Sequence, residues 1–227
     1  MIEIKDGGPY GNPYPFNMAR VDGNNAIRSS NSPIDWTLSS GGFFRVSGST
    51  GALTGAAANS PISSFRWTST TKVAVITTFE WWWTTTTAFG TAQLVSHSLY
   101  VARSFSAADT GGTDLTPAAG EQKKRSTMAD SALTTGSLLV ATTGALTAGT
   151  RTLDGAGIAS RAAWSGSIGA VLLDYEAISF DMVNEYPVVL AANEGIVLNN
   201  IVAMGATGVI SLGFDIAWAE VDPSVLI

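Results

Sequence analysis

The chain has 227 residues, 45% hydrophobic and 13% charged, with a formal net charge of −6. That composition excludes a disordered polar chain, and the length suits one large all-β domain or two small ones. With no cysteine and a single histidine, His97, disulfides, a thiolate nucleophile and a Cys- or His-rich zinc site within one chain are all excluded.

Ser and Thr together make up about a fifth of the residues, and threonine suits a pleated, half-buried surface. Glycine supplies the turns that many short strands need. The opening MIEIKDGGPYG carries Glu3 and no apolar core, so it reads as no signal peptide. No run approaches the roughly 18 apolar residues of a membrane helix. With no permissive N-x-[ST] sequon, the chain fits synthesis in a bacterial cytoplasm.

GGPYGNPYPFN, Gly7 to Asn17, places three prolines and three aromatics in eleven positions. Proline removes a backbone donor and extends its predecessor, so this stretch predicts an extended arm. Its Pro9, Tyr10, Tyr14 and Phe16 need an apolar surface, on their own domain or on a neighbouring subunit. GGFFRVSGSTGALTG follows as a short strand bounded by glycines. From Pro61 the strands become regular: SSFRWTS, then KVAVITTFEWWW, then SHSLYVARSF. AADTGGTDLTPAAGEQKKR reads as a turn-rich loop, with a short helix expected around Ser126 to Ala132. SLLVATTGALTAGTRTLDGAG reads as two strands with turns, and AVLLDYEAISFDMV, PVVLAANEGIVLNNIVAM and GVISLGFDIAWAEV complete the set.

Short strands at regular intervals predict an all-β fold, a jelly-roll-like antiparallel β-sandwich with an extended N-terminal arm. The division expected is residues 1–50 for arm and first strands and 51–227 for the sandwich body. In the last segment Ile210, Leu212, Phe214, Ile216 and Trp218 fall on one face by period two.

Every Lys and Arg lies at or before Arg161, and only acids follow. This argues against a nucleic-acid-binding face. Pairing of these charges between strands distant in sequence accounts for the asymmetry; an acidic face meeting a basic partner is the other reading.

Candidate chemistry is sparse. His97 lies in no recognisable triad, and no serine sits in a G-x-S-x-G elbow. A partly buried, hydrogen-bonded imidazole is expected, sharing a face with Leu99, Val101, Arg103 and Phe105. Asp109 and Asp114 flank a glycine turn and could bind calcium, but the EF-hand spacing is missing and Asx-turn chemistry explains the same residues. The acid pairs Asp174 with Glu176 and Glu220 with Asp222 invite a glycosidase reading, with nothing to select one pair. No Walker A stretch or dinucleotide fingerprint is present, so no catalytic, metal or cofactor site is assigned.

The run FEWWWTTTTAFG, Phe79 to Gly90, poses the sharpest question. Simple alternation from Lys72 puts Val73, Val75, Thr77, Phe79, Trp81 and Trp83 on one core face. Trp82 then points the other way beside Glu80, which suits a subunit interface or one ring of a sugar platform, for which Trp36 and Trp164 are further candidates.

The strings SSFRWTSTTKVAVI, YVARSFSAADTGGT, ALTAGTRTLD and EGIVLNNIVAMGATGVISLGFDIAWAEV together resemble a family of virion structural proteins of tailed bacteriophages. The likeness covers roughly Gly55 to the C-terminus; the arm and the triple tryptophan lie outside it. The resemblance implies a non-enzymatic capsid decoration or cement protein on the virion surface. Its partners would be the major capsid protein and further copies of itself, as a homotrimer, with no nucleic acid, membrane or cofactor. A neck- or tail-associated carbohydrate-binding module is the alternative. On this reading Pro9, Tyr10, Tyr14, Phe16 and Trp82 form the interface.

Overall fold

A computed structural model describes residues 19–21, 27–29, 42–165, 171–179 and 187–225. The chain divides into two compact units, Met1–Asp35 and Trp36–Ile227. In the first, β1 (Ala19–Val21) and β2 (Ile27–Ser29) form an antiparallel pair. The arm residues Pro9, Tyr10, Tyr14 and Phe16, and also Trp36, lie outside the described residues.

The second unit is an antiparallel β-sandwich. One sheet has the order β11 (Val171–Ser179), β5 (Val73–Thr87), β14 (Val209–Val221), β3 (Phe43–Ser49), with β12 (Val188–Leu190) also on β5. The other runs β10 (Ala159–Ser165), β6 (Gln93–Phe105), β13 (Gly195–Asn200), β4 (Ser60–Arg66), β8 (Leu138–Val140), β7 (Thr113–Asp114), with β9 (Arg151–Leu153) beside β6. The pairs β3–β14, β4–β13, β5–β11 and β6–β10 nest inside one another along the chain. That nesting is the jelly-roll topology. β3 falls in the first fifty residues yet pairs along β14 as part of the body.

The core lies between the sheets. Trp67, Trp81, Trp83, Trp218, Phe44, Phe65, Phe79 and Phe214 are among its fully buried side chains. Trp218 packs on Phe44 at 5.4 Å and edge-on against Phe65 at 5.3 Å, bringing the two sheets together. Ile210, Leu212, Phe214, Ile216 and Trp218 all face this core, as their alternation requires.

Alternation along β5 is not simple. Thr78 pairs with Ala217 but Ile76 pairs with Trp218, so Thr77 is an extra residue. This β-bulge exchanges the two faces. Ala74 and Ile76 enter the main core before it, and Phe79, Trp81 and Trp83 after it. The single stripe expected from Val73 to Trp83 is therefore split. Val73 and Val75 lie on the opposite face with Phe43, Ala219 and Val221 in a separate cluster. The hydroxyl of Thr77 donates to the Ala217 carbonyl at 3.2 Å, satisfying a buried polar group where the ladder slips. Thr86 marks a second slip, and its hydroxyl bonds the Val209 carbonyl at 3.3 Å.

A bulge between Ala102 and Ser104 likewise ends the face shared by His97, Leu99 and Val101. Arg103 is exposed and Phe105 joins an outer cluster with Ala102 and Val197.

The segment from Ser126 to Ala132 is not a helix. It is a turn-rich stretch tied at both sides: just before it Lys124 N donates to Phe43 O, and at its end Ala132 N donates to the Glu220 carboxylate at 2.9 Å. Those bonds along the β3 edge and to β14 displace an i to i−4 ladder.

Trp218→Ala is expected to cost about 3–5 kcal/mol, because the ring touches both sheets. Urea unfolding followed by tryptophan fluorescence would measure it.

Candidate functional site

Most ionisable groups of the body are tied into the fold. Glu220 is fully buried and accepts from Ser131 Oγ at 2.6 Å, Ala132 N at 2.9 Å and Trp218 Nε1 at 3.3 Å. Lys72 Nζ lies 3.7 Å from the same carboxylate. A buried carboxylate needs such partners, and here they lash the 120–133 loop to β14. Its sequence neighbour Asp222 instead caps the terminal 3-10 turn, bonding Ser224 N at 2.8 Å. Glu220 and Asp222 do not face each other across a cleft. The side chains of Asp174 and Glu176 lie outside the described set.

Asp109 and Asp114 also diverge. Asp109 is buried against Arg151 and accepts from Gly149 N at 2.7 Å. Asp114 bonds Thr116 N at 2.9 Å and Gly136 N at 2.7 Å. Asp114 closes a local turn, as Asx chemistry provides, whereas Asp109 ties its loop to the 149–151 segment some forty residues on. Among the described residues no three His, Asp or Glu side chains are grouped to hold a metal.

Two of the late acids find early cations. Arg45 chelates Asp215 with bonds of 2.6–2.9 Å, and Lys72 meets Glu220. Asp215 and Glu80 stand directly opposite on the outer face, a like-charge pairing that costs stability. Their fields raise the Arg45 guanidinium, the Asp215 hydrogen bond first. Arg103 and Asp154 form a similar exposed pair at 2.8 Å, and the hydrogen bond holds Asp154 below the usual carboxylate range.

His97 differs from the expectation of a partly buried, hydrogen-bonded ring. It is completely buried, and neither ring nitrogen has a hydrogen-bond partner. The ring stands edge-on to Trp83 at 5.0 Å. Register places Asn200 on one side and Arg161 on the other. Asn200 Nδ2 donates to three carbonyls, Ala56, Ala57 and Val202, while its Oδ1 is unpartnered. Thr85 and Ser165 bond one another through their hydroxyls in the same inter-sheet layer. This polar seam was not legible in sequence, because its members come from β5, β6, β10 and β13. Burial lowers the His97 pKa to about 4, so the neutral imidazole is the folded form at neutral pH.

The tryptophans separate cleanly. Trp81 and Trp83 are core, and Trp82 does face outward. Its indole lies flat over Gly213 of β14, where a Cβ would collide with ring atoms Cε2, Cζ2 and Nε1. Glycine is required there by the ring, and the ring is half-buried by the glycine. Among the described tryptophans, Trp164 is the one that meets solvent, at 72% exposure. It sits on β10, ASRAAWS, a strand that sequence reading passes over because it has no β-branched residue.

Comparison with protein-family models, curated proteins and solved structures returns no match.

Two outcomes follow from this geometry. Unfolded, the His97 imidazole titrates near 6.5; folded, near 4. The unfolded chain takes up the proton first as pH falls, so this contribution is full above about pH 6.5 and is lost toward pH 4. At about 1.4 kcal/mol per unit, roughly 3 kcal/mol is at stake. Urea midpoints measured from pH 7 to pH 4 should therefore fall less steeply for His97→Leu than for the wild type. Trp82→Ala is expected to cost about 1 kcal/mol or more by urea unfolding, through lost packing on Gly213.

Proposed function

We propose that this chain is a non-enzymatic structural protein of a tailed-bacteriophage particle, a decoration or cement protein on the capsid surface that bridges major capsid subunits and further copies of itself. The observation that carries this reading is the jelly-roll sandwich, built from the strings that resemble phage virion proteins. SSFRWTSTTKVAVI supplies β4 and the start of β5, and EGIVLNNIVAMGATGVISLGFDIAWAEV supplies β13 and β14. YVARSFSAADTGGT and ALTAGTRTLD meet through Asp109 with Arg151 and Arg103 with Asp154. Jelly rolls serve capsid and lectin proteins alike, and fold alone does not choose between them. The carboxylates of Asp109, Asp114, Glu220 and Asp222 favour the structural role, since they hold turns and strands together. Cement proteins gain strength from many weak contacts multiplied by symmetry, which suits a chain whose residues close its own core and leave Trp164 for contact.

The second reading, a neck- or tail-associated carbohydrate-binding module, draws on the exposed Trp164 ring. Mass spectrometry of purified particles tests the main proposal. A copy number in the hundreds per particle is expected for a shell protein. A few to a dozen copies would shift the protein to neck or tail, and absence from the particle would overturn a virion role. Glycan binding lost in Trp164→Ala would favour the second reading.

A further inference from the structure

The sandwich manages its sheet edges unequally. An open strand edge presents unpaired backbone groups, and proteins guard it by shortness, bulges, charge or cover. β7, ending the larger sheet, has two residues. The free side of β3 is covered by the 122–124 backbone, through Arg45 N to Gln122 O at 3.2 Å and Lys124 N to Phe43 O at 2.9 Å. β11 is broken by two register shifts, and β12 and β9 have three residues each.

Among the described strands, β10 is the least guarded edge. It pairs with β6 through seven consecutive residues without a bulge, and no other described strand covers its far side. Its sequence, ASRAAWS, contains no proline and one charge, Arg161. By alternation Ser160, Ala162 and Trp164 share the outer face, and the 2.7 Å bond from Ser98 Oγ to Ser160 Oγ marks that face at its start. Ile158, just before the strand, is 45% exposed.

We propose that β10 is the contact by which two copies of this chain join, antiparallel about a two-fold axis at Ala162, so that their larger sheets run on as one. Three features select a second copy as the occupant. In this register Trp164 of each copy lies across Ser160 of its mate, a large ring over a small residue, with Ala162 against Ala162 between them. Arg161 stands opposite Ala163 rather than opposite its own counterpart, so no like charges are directly paired. The two indoles, 72% exposed in the single chain and up to about 150–250 Å² each, give the contact a large apolar centre toward the roughly 1,200–2,000 Å² buried in a specific dimer. The inference goes beyond the proposed virion role and does not rest on it.

The absence of native cysteine makes a direct test available. Opposed antiparallel residues have Cβ atoms about 4.5–5.5 Å apart, near enough for a disulfide after small adjustment. Full-length Ala162→Cys is expected to form a disulfide-linked dimer under mild oxidation, with the exposed Thr152→Cys on β9 as control. Analytical ultracentrifugation of the wild type should show a dimer, and Trp164→Glu and Ala162→Lys should each weaken it at least tenfold while retaining the wild-type circular dichroism. A monomer at all concentrations, a trimer, or cross-linking of Ala162→Cys no faster than the control would overturn the proposal. So would a wild-type dimer undisturbed by both edge variants.

Discussion

The pairing of β5 with β14 is the constraint on which this sandwich depends. These strands run together from Val209 with Thr87 to Val221 with Val73, and each contributes large aromatics to the inter-sheet layer. Phe79 stacks against Phe214 across the pair at 6.1 Å. Trp218 reaches Phe44 on the next strand and Phe65 on the opposite sheet. Large aromatics bury about 150–250 Å² each and dominate core energetics. A slip of one residue in this ladder would turn Trp81 and Trp83 out to water and bring Glu80 and Trp82 in. The hydrophobic effect therefore fixes the register strongly.

Thr77 and Thr86 permit that long ladder to change phase. Each is the extra residue at a slip, and each returns its hydroxyl to a β14 carbonyl. The consequence reaches both faces. Inside, Ile76 and Phe79 both meet the core although they are three residues apart. Outside, Trp82 comes to lie over Gly213, and Val73 and Val75 join a separate outer cluster. The polar interior follows from the same geometry: Trp83 is the edge-on neighbour of the unpartnered His97 ring.

Much of the fold could be read from sequence because the long strands β6 and β14 announce themselves by alternation, and Gly-rich turns separate them. Ile210 to Trp218 is the clearest case, since every alternate residue there is large and apolar. β10 was missed because Ala, Ser and Arg give no periodic contrast in ASRAAWS. The expected helix at Ser126 to Ala132 failed because Glu220, some ninety residues away, holds Ser131 and Ala132. Bulges were invisible for a related reason: an extra threonine matters only through the partner strand, and nothing local distinguishes Thr77 from Thr78.

By itself, then, the sequence determined an all-β chain without thiol chemistry, with aromatic strands, and with Trp81 and Trp83 in the core. Those properties depend on composition and on the two-residue repeat of a strand, which are local. A jelly-roll-like sandwich was expected from the sequence, but tertiary structure alone decided which strands pair in it, the phase change at Thr77 and the burial of His97. It also assigned Trp82 to its own sheet and left Trp164 to solvent. Each of these depends on which strand lies alongside, a relation between residues far apart in the chain.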